Sequence, residues 1–246
     1  MDYHVVALEQ RPALLTPLRE LLAAGWPEFM QHDPTAERYE ARLAGELGAF
    51  QLLLLDEKDD LAAAGVSIPF VWDGTVELLP DGWDAVVERG IDDWERGRRP
   101  TALSALSVTV APDRLGQGLS QLVIRALKQA AIDAGLERMV VPVRPAAKSA
   151  YPLTPMERYV RWSLPDGAPF DFWLRTHWRL GAAVLGVCPA SMVVTADVGT
   201  WEAWTGMRFP ETGPYVVPQA LVPVEIDRER DVGRYVEPNV WVEHPI

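Results

Sequence analysis

The sequence predicts an α/β fold, and three observations predict it. Residues 101–143 read as strand, glycine turn, helix and strand in succession. Residues 50–71 read as two strands joined by a charged D-E-K-D-D tip. The chain beyond residue 183 is rich in further strand-like runs. With 246 residues and 48% hydrophobic composition it can bury a full core. No Gly/Ser-rich linker divides it and no repeat recurs, so a single domain over residues 1–246 is expected.

Taken in order, residues 3–8 form a first strand. Thr16 offers a helix cap, Pro17 suits a first helical position, and the helix runs to Gly25. The mixed stretch W-P-E-F-M-Q-H-D-P, residues 26–34, precedes a second helix over 35–47. Strands over 50–55 and 61–71 follow as a hairpin. Residues 72–100 interrupt the sheet. Trp83, Val86, Val87, Ile91 and Trp94 give that insertion an amphipathic helix.

The run A-L-S-A-L-S-V-T-V is β-branched toward its end and is closed by Pro112. In the turn D-R-L-G-Q-G-L-S, Gly116 and Gly118 lack a Cβ, so the backbone can take positive φ and lie close to a ligand. The next helix repeats apolar residues at 3.6-residue spacing (Leu119, Leu122, Val123, Ala126, Leu127, Ala130, Ala131, Ala134), and Gly135 stops it. Unpaired amides and the dipole at its start attract an anion. The G-x-G-x-x-G dinucleotide fingerprint fails because Gln121 holds its third glycine position, and no G-K-[ST] phosphate loop is present. After Val143 comes a loop rich in proline and cations. A helix capped by Asp171 then runs to Gly181, and strands are expected over 184–187, 191–195, 215–226 and 235–242 around a short helix over 200–206.

The stretch V-A-P-D-R-L-G-Q-G-L-S, residues 110–120, resembles the acyl-CoA motif V-x-P-x-x-[RQ]-G-x-G-x-[GA] of the GCN5-related N-acetyltransferase (GNAT) family. Val110, Pro112, Gly116 and Gly118 match. Leu115 replaces the usual Arg or Gln, and Ser120 the Gly or Ala. The resemblance spans residues 3–195 and is specific between Val108 and Gly135. It implies a GNAT-like (acyl-CoA N-acyltransferase) fold: a mixed, mostly antiparallel sheet flanked by helices. Residues 72–100 would be an insertion before the fourth strand, and 199–246 a β-rich C-terminal extension that could serve homodimerisation.

The resemblance also implies acetyl transfer from acetyl-CoA to a small-molecule amine. Val108, Thr109, Val110, Leu115, Gly116, Gln117, Gly118, Leu119 and Ser120 would bind the cofactor, with Arg114, Arg125 or Lys148 near its phosphates. Residues 177–183, H-W-R-L-G-A-A, resemble the family's L-Y-E-K-L-G-F motif. His177 stands where the family's tyrosine protonates the departing thiolate, and Tyr151 and Tyr159 are alternatives. Glu28, His32 and Asp33 lie where the family lines its acceptor site. The fourth strand offers Ser104 and Ser107 where some relatives carry a glutamate base. Two rival readings use the same scaffold. One is acyl transfer to oxygen or decarboxylation of an acyl-CoA such as a malonyl thioester. The other is a non-enzymatic module that senses acyl-CoA or binds a partner protein.

A net charge of −12 argues against nucleic acid and suits a cationic acceptor. The lone Cys188 leaves no internal disulfide or cysteine-based zinc site, and no metal is expected. The first residues lack the pattern of a signal peptide, and no apolar run approaches a membrane span. A soluble, cytoplasmic protein is expected.

Overall fold

The computed structural model describes residues 2–246. Its sheet has nine strands: β1 (His4–Ala7), β2 (Leu52–Leu55), β3 (Leu61–Phe70), β4 (Ala102–Val110), β5 (Arg138–Val143), β6 (Ala183–Ala196), β7 (Gly213–Tyr215), β8 (Val224–Asp227) and β9 (Val232–His244). The helices are α1 (Leu15–Gly25), α2 (Pro34–Ala44), α3 (Trp83–Glu95), α4 (Leu119–Asp133), α5 (Met156–Tyr159), α6 (Phe172–Arg179) and α7 (Val198–Thr205). The sheet is mixed and mostly antiparallel. β4 and β5 run parallel, and all other named pairs are antiparallel.

Alternation along the strands distributes the core to both faces. Leu52 and Leu54 of β2 pack with Val123 and Leu127 of α4, whereas Leu53 and Leu55 pack with Leu18 and Leu21 of α1. Val66, Ile68 and Phe70 of β3 meet Val86, Val87 and Ile91 of α3. α4 approaches β3 over Gly65, where a Cβ would lie 2.7 Å from Val123 Cγ1. Of the expected α4 face, Leu122 is exposed and Ile124 is buried in its place.

Two features position the site. β4 and β5 pair only over Ala102–Ser104 and Arg138–Val140, then part company, although β4 continues to Val110 and β5 to Val143. β4 also carries a bulge: Val66 of β3 faces Ser107 while Ser67 faces Ala105, leaving Leu106 as the extra residue.

The C-terminal strand differs from the expected extension. β9 does not append to the sheet but lies inside it, pairing with β6 along one edge and with β5 and β8 along the other. Its run Val240–Trp241–Val242 is buried, because a strand flanked on both edges must cover both faces. α7, β7 and β8 are therefore an excursion between β6 and β9. The expected strand over 215–226 is two short strands of a hairpin.

Candidate active site

The glycine turn is held open from outside. Arg114 Nη2 donates to Asp56 Oδ2 at 3.0 Å, and the Tyr3 hydroxyl donates to Gln117 Oε1 at 3.2 Å. Arg114 is thus committed to Asp56 and Asp113 instead of reserved for a phosphate. Gly116 and Gly118 both have φ of +78°, and no atom of the described residues lies within 4 Å of a Cβ built on either. Gly118 is the N-cap of α4 and contributes no side chain, so the first turn of this fifteen-residue helix stays uncapped. Among the described residues the amides of residues 115–120 carry no hydrogen bond to another turn, loop or side chain. Leu115 is 65% exposed beside them. This arrangement fits a diphosphate: aligned N–H donors, the positive end of a dipole, and backbone without side chains in the way.

From that turn, Val108, Thr109 and Val110 lead back along the part of β4 that β5 no longer pairs. Ser107 Oγ and Thr109 Oγ1 lie 2.9 Å apart. An extended chain entering this opening meets β4 backbone that its neighbour has released.

Ser107 also lines a cavity of about 420 Å³. α1 contributes Leu18, Arg19 and Leu22. α2 contributes Ala36, Glu37, Glu40 and Leu43. The sheet contributes Val66, Ser107 and Met192, with Gln51 beside them. Trp83 at the start of α3 closes it, and its Nε1 donates to the bulge carbonyl of Leu106 at 2.9 Å. The insertion before β4 is therefore a wall of this cavity. His32 lines it too, stacked on Trp204 with ring centroids 4.5 Å apart and with Nε2 3.2 Å from Glu28 Oε1. Glu28 does not line the cavity; it orients His32.

Asp33 is fully buried. Its Oδ1 accepts from the amides of Thr35 and Ala36 and caps α2. Its carboxyl also meets that of Asp84, whose Oδ2 accepts from Val193 N at 3.1 Å. Among the described residues Asp33 Oδ2 and Asp84 Oδ1 have no hydrogen-bond partner, so burial weighs on the charged form of both carboxyls. Burial and the neighbouring Asp33 charge push Asp84 up to about 8, and burial raises Asp33 as well. Glu237 and Glu88 add negative charge nearby, while Arg144 Nε is committed to Glu237 at 2.9 Å.

The folded protein keeps a proton on Asp84 that the unfolded chain loses near its ordinary value of 3.8. Stability from this group is therefore full below that value and is lost as pH rises through about 8. Asp84→Asn supplies an N–H donor to Asp33 that does not titrate. The variant should be more stable than the parent at pH 9 by about 1–2 kcal/mol, or roughly 3–6 °C in Tm. The gain should shrink below pH 7, as a Tm series against pH would record.

The structure places His177 elsewhere. It is 1% exposed, and its Nδ1 lies 2.8 Å from Nε2 of His244. His244 pairs with Met139 at the start of β5, whereas β4 and β5 separate only after Val140. Burial, then the facing His244, lowers His177 to about 3; burial, then Lys128, lowers His244 to about 4. A histidine held neutral this firmly is a poor acid. The match of residues 177–183 rests on a helix end and a glycine stop, which are local features, whereas tertiary packing sets His177 against His244. His177→Phe should leave turnover near the parental rate. The depressed pKa means that protons bind the unfolded state preferentially below about 6.5, so the parent loses stability as pH falls through that value. The variant should lose less, which acid unfolding of both proteins would measure.

Tyr151 remains near the other end of β5. It follows the short turn Lys148–Ala150, is 37% exposed, and packs edge-on against Trp162 and Phe170 with centroids 5.0 and 5.8 Å away. Its hydroxyl makes no hydrogen bond among the described residues. Tyr159, by contrast, is buried and donates its hydroxyl to Asp171 Oδ2. Lys148 is also buried, with Nζ donating to the carbonyls of Tyr151 and Leu221 at 2.9 and 2.6 Å, and desolvation lowers it to about 8. It braces the loop and does not reach for a phosphate.

Sequence reasoning singled out the turn, His177, Tyr151, Glu28 and His32. It did not single out Arg19, Glu37, Glu40, Asp84 or Met192, and it read Trp83 as part of the insertion's amphipathic helix. Only the packing of α1 and α2 over the sheet turns Arg19, Glu37 and Glu40 toward one cavity.

No family model matches the chain. Over 248 aligned residues it is 36% identical to an arginine N-acetyltransferase of Aspergillus versicolor, a match covering 90% of this chain and 85% of that protein. Among solved structures, the loading GNATL domain of CurA from Lyngbya majuscula superposes over 100% of this chain and 98% of its own, with a TM-score of 0.66 and 17% identity. A GNAT-like decarboxylase, GphF, in complex with isobutyryl-CoA, superposes over 100% and 99%, with a TM-score of 0.60 and 17% identity. At such identities the structures bear on fold alone.

Proposed function

This chain belongs to the GCN5-related N-acetyltransferase family, and from that premise we propose how its residues divide the transfer of an acetyl group from acetyl-CoA to a small amine. The amides of Leu115, Gly116, Gln117, Gly118, Leu119 and Ser120 hold the diphosphate of CoA. The pantetheine arm lies along Val108, Thr109 and Val110 where β4 and β5 diverge. The acetyl carbonyl ends near the bulge, where released β4 amides stabilise the oxyanion.

The amine enters from the cavity between α1 and α2. Its nitrogen attacks the thioester carbon; a C–N bond forms and the C–S bond breaks. His32, oriented by Glu28, takes the ammonium proton directly or through water. Asp33 is unsuited to that task because it is buried and capping α2. Tyr151 protonates the departing thiolate. Similarity to an arginine N-acetyltransferase supports arginine, or a related cationic amine, as the acceptor. The net charge of −12 favours the approach of such a cation.

The observation that carries this reading is the place of Ser107: it lies on the part of β4 that β5 no longer pairs, and it lines the cavity beneath α1 and α2. The test is release of free thiol from acetyl-CoA in the presence of arginine, with acetylated product identified by mass. Failure of millimolar CoA to raise Tm would overturn the cofactor site. Thiol release only with alcohols would move the reaction to oxygen. Carbon dioxide from malonyl-CoA without any acceptor would make the chain a decarboxylase, and CoA binding without turnover a sensor.

A further inference from the structure

We propose that Glu37 reads a second cationic group on the acceptor, so that the preferred substrates are amines carrying positive charge at both ends. This rests on the acceptor cavity described above and narrows the class of molecule that fills it.

The cavity walls are largely apolar, and three of the four titratable side chains on them are already engaged. Arg19 Nε donates to Glu40 Oε1 at 2.6 Å, and His32 is bound to Glu28. Glu37 makes no side-chain hydrogen bond and no ion pair among the described residues, although it lines the same space. Arg19 offsets Glu40, so Glu37 leaves the cavity with one negative charge in excess. Glu37 and Glu40 stand one turn apart on α2 and so face the same way.

Position matters as much as charge. Val66, Ser107 and Gln51 form the sheet wall, where the reacting nitrogen must come to meet the thioester. Ala36, Glu37, Glu40, Leu43 and Ala44 form the wall that α2 supplies. An acceptor laid across the cavity therefore presents one end to the sheet and the other to α2. The apolar lining residues Leu22, Met30 and Leu43 suit a methylene chain. A carboxylate beside apolar walls attracts a guanidinium or ammonium more strongly than one in bulk water. A neutral far end gains nothing from it, and an anionic one is repelled.

The experiment compares arginine, a straight-chain diamine and a monoamine of equal length as acceptors for the parent, Glu37→Gln and Glu37→Lys. Glu37→Gln should raise KM for arginine and the diamine about 10–100-fold, leave kcat near the parental value, and change KM for the monoamine less than about twofold. The parental preference for the diamine should weaken as salt is added, because the carboxylate is solvent-accessible. Glu37→Lys should reverse the preference, toward an amine with a carboxylate at its far end. Equal effects on diamine and monoamine, or none on either, would overturn the inference. Calorimetric binding of the diamine to parent and Glu37→Gln tests the same contact without turnover. Indistinguishable affinities there would sink the role of Glu37 even if acetyl transfer proceeds. Absence of thiol release with every amine, alongside a Glu37-dependent affinity, would instead count against the transferase reading alone.

Discussion

Gly118→Val should abolish CoA binding while leaving a folded protein. Gly118 sits at φ +78° immediately before α4, a conformation that a β-branched residue adopts only under strain. The strain costs about 1–3 kcal/mol, which a domain of this size can absorb with a modest fall in Tm. No protein atom lies within 4 Å of the added Cβ, so the folded core is not disturbed. The loss falls on the ligand. The valine side chain projects into the space beside the free amides, and relief of its strain turns those amides away from a common focus. CoA affinity should fall by at least about 100-fold, the scale of losing two or three charge-assisted hydrogen bonds. Thermal shift with CoA reads this directly. A parental shift in the variant would remove the diphosphate site from residues 115–120. Gly118→Ala should lie between the two, since it adds strain with less bulk.

Tyr151→Phe should lower kcat about 10²-fold or more with little change in CoA affinity or in KM for the amine. A positioned proton donor contributes about 10²–10⁴-fold. The ring is held by Trp162 and Phe170, so phenylalanine keeps the packing and removes only the hydroxyl. A uniform loss in kcat and kcat/KM marks an interaction made in the transition state. A merely structural tyrosine would instead move Tm or the CoA-induced shift. Unchanged turnover would leave thiolate protonation to solvent. Set beside the near-parental activity expected of His177→Phe, the pair of variants separates two of the three acids that the sequence offered.

The element types were largely legible because their causes are local. The glycine pair, the 3.6-residue apolar spacing of α4 and the β-branched run before it act within a few residues, and β4 and α4 form where those signals stand. Asp171 caps α6 as its position suggests, for the same reason. The helix of the insertion followed from Trp83, Val86, Val87 and Ile91, which α3 buries. The start of α1 was less legible. Leu15 opens it after a turn of 3-10 helix over Pro12–Leu14, so Thr16 lies inside and caps nothing.

By itself, then, the sequence determined the strand–turn–helix that leaves backbone donors unpaired, and with it the family. Only the tertiary structure decided that β9 lies between β5 and β6, since strand pairing is chosen by long-range packing and not by any residue within the strand. It alone buried His177 against His244 and brought Asp33 to Asp84, because protonation follows from neighbours that chain distance does not reveal. It alone left Glu37 as the cavity's uncommitted charge. A carboxylate on a helix face looks the same in sequence whether water or a substrate stands opposite, and the folding of α1 and α2 over the sheet makes the difference.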